Sequence, residues 1–214
     1  MAQNSDAMIA QLVGNLEPVK PLRFSHGMAY TLVAVALSSA MVISLFGMRP
    51  DLQSARFVPM PLIASGLYLG LGLASSVTVI MMSRPCVGAS HSGWTWAAAM
   101  AALLPIAGLI TALSNSTALL SQDSIAHGLD CFTIGTGASS IVFGTLVWWL
   151  RKGAPTAPDR AGLVAGIAAG SFGIFAFGLH CPENDIVHIG VWHSAVVLIV
   201  GVLGRLVVPS LVRW

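Results

Sequence analysis

The chain has 214 residues, of which 56% are apolar and only 8% are charged, and its formal net charge is +2. In a soluble domain about a quarter of the residues are charged. This composition therefore excludes a water-soluble globule and indicates a multi-pass membrane protein. The sequence has no basic block, which argues against direct nucleic-acid binding, and its three cysteines are too few to hold a chain of this length together.

The N-terminal tail, residues 1–26, precedes the first long apolar run and carries a short amphipathic pattern. Apolar residues recur at helical spacing at Ile9, Leu12 and Leu16, and Asp6 is suited to cap the helix. Pro18 ends the helix, because proline disfavours helical geometry in the residue before it. An isolated helix of about ten residues is marginal in water, so its apolar stripe needs a surface, either the membrane or a groove on a protein partner.

Six uncharged apolar runs follow, each close to the roughly 20 residues that cross a bilayer as a helix. They span residues 27–47, 57–83, 94–114, 131–150, 161–179 and 186–204. The sequence therefore predicts an all-α fold: a six-helix polytopic membrane bundle over residues 27–214, preceded by a short cytoplasmic N-terminal amphipathic helix. Within the fifth run, Gly162, Gly166 and Gly170 recur at steps of four, which predicts close helix packing.

Basic residues give the orientation of this bundle. With the N-terminus inside, only Arg49 and Arg56 fall in outer loops, and the other eight fall in cytoplasmic pieces. Those eight are Lys20, Arg23, Arg84, Arg151, Lys152, Arg160, Arg205 and Arg213. This bias predicts that both termini are cytoplasmic.

Two of the three cysteines are predicted to lie at the same depth on the outer side. Cys131 begins the fourth run and Cys181 follows the fifth, whereas Cys86 falls on the opposite side. An oxidising periplasm permits a disulfide between two such thiols, and soft metals bind them as thiolates. Candidate metal ligands near them are Cys131, Cys181, His127, His180 and His188, with His193, Asp130, Glu183 and Asp185 in the same region. Spacing alone leaves three interpretations open: sensing thiols, a structural disulfide or inert buried thiols.

Several chemical signatures are missing from the sequence. No Asp, Glu, Lys or Arg lies in the middle of a predicted span, and there is no HExxH, GxSxG, P-loop or CxxC motif. Ion-coupled carriers and pumps usually need a charged residue within the membrane. We therefore expect neither a transporter nor an enzyme, and no resident cofactor apart from a transient heavy-metal ion at the thiols.

Short strings along the whole chain resemble the NrsF-like family of integral membrane anti-sigma factors. The sharpest are Gly153-Ala154-Pro155-Thr156 and His180-Cys181-Pro182-Glu183. The others are Leu16-Glu17-Pro18-Val19-Lys20-Pro21-Leu22, Arg49-Pro50-Asp51-Leu52, Arg151-Lys152, Trp192 and Arg213-Trp214.

This resemblance implies a cytoplasmic tail that holds an extracytoplasmic-function sigma factor at the membrane, and an outer cysteine pair that answers metal or oxidative stress. Carried over residue by residue, Cys131 and Cys181 are the sensing thiols, which makes residues 27–214 a transmembrane sensor domain. Cys86 matches no family site. The implied sigma-binding residues are Ile9, Leu12, Leu16, Pro18, Val19, Pro21 and Leu22. Alternatives are a metal or small-solute permease with an outer His/Cys entry site, and a quinone-linked thiol oxidoreductase.

Overall fold

A computed structural model describes residues 2–14, 21–56, 58–85, 92–114, 122–183 and 185–212. These residues form helices joined by short loops, with no strand among them. The helices are α1 (Ala2–Gly14), α2 (Phe24–Phe46), α3 (Pro50–Gln53), α4 (Pro59–Met82), α5 (Gly93–Ser114), α6 (Gln122–Lys152), α7 (Pro158–Gly178) and α8 (Ile186–Leu211). One π-helical turn, Ile189–His193, interrupts α8.

Six of these helices, α2 and α4 to α8, are long and apolar enough to cross a membrane, which confirms the predicted six-helix bundle. The helix ends differ from the predicted ones. Helix α6 begins at Gln122, nine residues before the predicted start, and α8 continues past Arg205 to Leu211. Charged residues mark where an apolar stretch stops, whereas a helix continues as long as its backbone hydrogen bonds do.

Helix α7 lies at the centre of the bundle. Of its most apolar stretch 83% is buried, against 24% for α5. Its glycine stripe lies directly on the backbone of α8: a Cβ at Gly166 would overlap the carbonyl oxygen of Val200, and one at Gly170 would come within 2.8 Å of the Cα of Val197. The predicted close packing of this stripe is confirmed, because only glycine lets the two backbones approach so far.

The two ends of the bundle differ in chemistry. At one end, Trp149 Nε1 donates a hydrogen bond of 3.2 Å to Ser83 Oγ, and the Ser83 carbonyl accepts one of 3.0 Å from Ala154. We call this the basic end, because Arg151 and Lys152 close α6 there. Helix α2 begins at the same end, where Gly27 packs against Trp149. The opposite end carries Arg49, Cys131, Cys181, His188 and His193, and we call it the thiol end.

Helix α1 has an exposed apolar stripe. Met8, Ile9 and Leu12 are 64%, 57% and 63% exposed. The helix begins at Ala2, so Asp6 lies inside it, and the prediction that Asp6 caps its N-terminus is wrong. Of the other tail residues implied by the resemblance, Pro21 is exposed and Leu22 half-buried, while Leu16, Pro18 and Val19 lie outside the described residues.

Candidate functional site

Two buried thiols meet at the thiol end although they are fifty positions apart in sequence. Cys131 projects from α6. Cys181 is the third residue after α7, and its backbone N–H donates to the Phe177 carbonyl at 3.0 Å. Their Sγ atoms are 3.7 Å apart, and both cysteines are free thiols. Since α6 and α7 are joined at the basic end, they run antiparallel and return the two thiols to the same depth.

Two histidines of α8 complete a four-residue cluster with these thiols. His188 Nε2 lies 3.2 Å from Cys131 Sγ, and the rings of His188 and His193 are 5.4 Å apart. One donor atom from each of the four side chains lies within 4.8 Å of all the others, and all four residues are buried. We call Cys131, Cys181, His188 and His193 the tetrad.

The local structure of α8 positions both histidines. Asp185 caps the helix, since its Oδ2 accepts hydrogen bonds from the backbone N–H groups of Val187 at 3.1 Å and His188 at 3.0 Å. The π-helical turn Ile189–His193 holds one residue more than a turn of α-helix. Residues five positions apart therefore lie on the same face there. His188 and His193 are five apart, and they therefore both face the thiols.

Neighbouring helices hold this unusual turn from three sides. The hydroxyl of Tyr68 on α4 lies 3.3 Å from the Ile189 carbonyl, to which it donates, and 3.1 Å from Ser194 Oγ. Gly108 on α5 lies against the backbone of Gly190, where a Cβ would come within 2.5 Å of the carbonyl carbon. On α6, a side chain at Gly128 would overlap the indole ring of Trp192.

Not all of the sequence-derived candidate ligands join the tetrad. Cys131, Cys181 and His188 do, whereas His127 and His180 are not part of it. The Nδ1 atom of His180 is 3.1 Å from the Gly47 carbonyl, and its ring packs beside Phe46 and Phe177. Cys86 lies outside the described residues.

His193 is the member of the tetrad that the sequence-derived ligand set lacks. In an α-helix it would be rotated about 140° from His188, so helical periodicity gave no reason to group the two. Asp185, a candidate ligand by proximity, serves instead as the helix cap.

Charge at the thiol end is arranged around a buried arginine. Arg49 Nε and Nη2 donate to the two carboxylate oxygens of Asp51, each at 2.6 Å, and the Arg49 backbone N–H donates to the Leu179 carbonyl at 3.0 Å. The side-chain hydrogen bond from Arg49 lowers the pKa of Asp51 below its ordinary value. Arg49 thereby fastens the loop after α2 to the end of α7, two residues from Cys181.

The surroundings of Cys181 shift the pKa of its thiol. The hydrogen bond with Cys131 and the adjacent imidazoles of His188 and His193 lower the pKa of Cys181, against the opposing effect of burial. A thiolate with buried imidazole neighbours is a ligand for thiophilic cations and a nucleophile toward oxidants. The fold and the site thus define a polytopic membrane protein with a buried thiol–imidazole centre at one end and an amphipathic helix outside the bundle.

The chain belongs to the NrsF family, whose model, described as negative regulator of sigma F, matches residues 12–214. It is 31% identical to the anti-sigma-F factor NrsF of Caulobacter vibrioides over 215 residues, which cover 98% of this chain and 97% of that protein. It is 28% identical to the probable anti-sigma-F factor NrsF of Azospira oryzae, with 83% of each chain covered. No solved structure matches this chain.

Proposed function

We propose that this protein is an anti-sigma factor of a bacterial inner membrane, which holds an extracytoplasmic-function sigma factor through its cytoplasmic N-terminal tail. The exposed apolar stripe of α1 is the observation that carries the proposal. Met8, Ile9, Leu12 and Val13 present a continuous apolar face on a helix of 13 residues. A helix of this kind gains stability by laying its apolar face into a groove of a partner and folding as it binds.

The composition of α1 favours a protein partner over the lipid surface. Helices that lie on anionic membranes usually carry Lys or Arg on their polar face, and residues 2–14 contain neither. The names of both relatives refer to a sigma factor, which supports a partner of that class. A sigma factor that is bound to the tail is kept away from RNA polymerase. This mode of regulation needs no contact between this protein and nucleic acid.

The thiol centre supplies the regulatory input in this proposal. Helix α2, which follows the tail, begins at the basic end, whereas Cys131 and Cys181 lie at the opposite end. With the tail in the cytoplasm, the thiols then face the periplasm, where they respond to a metal ion or to a change in redox state. Reversing a 99:1 equilibrium between the bound and the released sigma factor needs about 5.5 kcal/mol, and one disulfide contributes about 2–4 kcal/mol. A single disulfide therefore changes the release of the sigma factor substantially but does not make it complete.

The protein acts in this proposal as a regulator and not as a catalyst. The charged residues of the described transmembrane helices are Asp123, Asp130, Arg151, Lys152, Asp159, Arg160 and Arg205. All of them lie within about two turns of a helix end, so they do not supply the charged path that an ion permease uses. We therefore do not propose the permease.

Co-purification from detergent tests the sigma-factor partner directly. The tagged full chain should retain a sigma factor that mass spectrometry identifies. Leu12→Asp should abolish that retention, because a carboxylate buried in an apolar groove costs several kcal/mol, enough to defeat a micromolar contact. Gln11→Asp, which places the same charge on the polar face of α1, is the matched control and should retain the partner. Retention by the Leu12→Asp protein would overturn the helix-in-groove model, and a tail that binds anionic liposomes instead would favour the membrane surface.

A further inference from the structure

The tetrad brings four metal-binding side chains to one point from three separate segments. Cys131 comes from α6, Cys181 from the loop after α7, and His188 and His193 from α8. Each is at most 5% exposed. Two cysteines and two histidines are the ligand set of tetrahedral zinc sites, and burial of all four is typical of closed sites that hold the ion without an open position.

The distances between the donor atoms fit a tetrahedral ion. With Zn–S bonds of about 2.3 Å, tetrahedral angles separate the two sulfurs by about 3.8 Å, and a sulfur from a nitrogen ligand by about 3.6 Å. The Sγ atoms of Cys131 and Cys181 are 3.7 Å apart, and His188 Nε2 lies 3.2 Å from Cys131 Sγ. Small shifts of side chains therefore suffice to accommodate the ion.

The second histidine has an unused polar atom, which a simple thiol pair does not explain. Nε2 of His193 is buried and has no hydrogen-bond partner among the described residues. Leaving such a buried group unpaired is unfavourable, so its position calls for a ligand or a water molecule. His193 and Cys181 also line a cavity of about 10 Å³, with Tyr68 and half-buried Glu183 on its wall. This space is close to that of one water molecule, and the carboxylate beside it favours a cation.

A disulfide alone accounts for less of the geometry. It would use the two sulfurs and leave both imidazoles without a role, although the π-helical turn and the contacts of Tyr68 act together to aim them at the thiols. A π turn inside an α-helix is rare and is frequently found at a functional site. A metal ion uses all four groups at once.

We propose that Cys131, Cys181, His188 and His193 form a closed tetrahedral site for one divalent zinc-like cation. This inference rests on the proposed function in one respect only, that occupancy of the site is the signal at the thiol end. Because α6, the loop after α7, and α8 each contribute a ligand, the ion ties the three segments to one point. Binding thus has a structural consequence within the membrane domain.

Cobalt substitution in the purified full chain tests the site without any sigma factor. Titration of the reduced, metal-free protein in detergent with Co²⁺ should give one equivalent of tetrahedral cobalt, with strong visible bands and a sulfur-to-cobalt charge-transfer band, and Zn²⁺ should displace it. His193→Gln should lower the affinity at least tenfold and weaken the visible bands. His180→Gln, which alters a histidine at the same end but outside the tetrad, should bind like the parent protein.

A second variant separates a lost ligand from a damaged fold. His193→Cys restores a metal ligand and should regain tetrahedral cobalt with an increased charge-transfer intensity. Octahedral or absent cobalt in the parent protein, or a parent-like spectrum and affinity in His193→Gln, would overturn the proposal. Cobalt binding needs no partner and sigma-factor retention needs no metal, so failure of this proposal is distinguishable from failure of the proposed function.

Discussion

His188 and His193 face the same side of α8, with ring centroids 5.4 Å apart, because a π-helical turn lies between them. In a regular α-helix, residues five apart point about 140° away from each other. One extra residue in the turn therefore decides whether the second imidazole meets the thiols or faces a neighbouring helix.

Deletion of Val191 should convert the π turn into a regular helical turn. His188 and His193 would then be four residues apart and about 40° from each other, so both imidazoles stay on one face. Insertion of one alanine after Val191 instead places them six residues apart, about 120° from each other in a regular helix. We expect the tetrahedral cobalt spectrum to survive the deletion and to disappear after the insertion, while circular dichroism still reports a helical protein in both. A parent-like spectrum after the insertion would contradict a role of this turn in positioning the ligands.

Cys131 and Cys181 should act as one unit in the stress response. Replacing either with serine removes the sulfur chemistry with little change in shape, so each single variant should lose most of the response of a sigma-dependent reporter to a soft metal or oxidant. The double variant should add little, since residues that work together are non-additive. Cys86→Ser is the control and should respond normally. A normal response in the double variant would leave the thiols inert.

Gly166→Ala should destabilise the bundle, because its Cβ would overlap the Val200 carbonyl oxygen and crowd the Cα of Gly201. Overpacking of this kind costs about 1–3 kcal/mol, so the melting temperature in detergent should fall by several degrees. Gly144→Ala is the matched control: it also lies inside a transmembrane helix, and a Cβ there meets nothing within 4 Å. That variant should melt at or slightly above the parent temperature. Equal melting of both variants would contradict the close contact of α7 with α8.

The Arg49–Asp51 pair should make the stability of the thiol end depend on pH. The pKa of Asp51 is lowered in the folded protein, so its contribution is complete at neutral pH. It declines as the pH falls below about 4 and is lost below the folded-state pKa. Asp51→Asn should therefore melt below the parent at pH 7, and the difference should vanish in acid. Asp130→Asn, which removes an exposed carboxylate at the same end, should show no such difference at pH 7. If the melting temperatures of Asp51→Asn and the parent still differ in acid, the charge of the Asp51 carboxylate is not the cause of the difference.

Reporter fusions test the proposed orientation. Since basic residues concentrate at one end, fusions after Asp159 should report a cytoplasmic position and fusions after Asp185 a periplasmic one. Alkaline phosphatase, active only in the periplasm, and a fluorescent protein that matures only in the cytoplasm give opposite signals at each site. The reverse pattern would place the tail and the thiols on the wrong sides for the proposed function.

The apolar runs of the chain were enough to predict an all-α bundle of six membrane-spanning helices. The sequence also indicated the close packing at Gly166 and the common depth of Cys131 and Cys181. These follow from local quantities: the length of each apolar run, the four-residue step of small side chains, and the alternating direction of successive helices. The apolar stripe of α1 was visible for the same reason, because helical periodicity is a property of the segment alone.

The side chains that complete the thiol centre could be identified only from the packing of the helices. In the structure, His193 belongs to the tetrad, His180 lies beside the Gly47 carbonyl, and Asp185 caps α8. The physical reason is that the π turn depends on contacts from other helices, including the hydroxyl of Tyr68 and the close approach of Gly108 to Gly190. Tyr68 and Gly108 lie more than eighty positions before the π turn in sequence, so no pattern within α8 predicts these contacts.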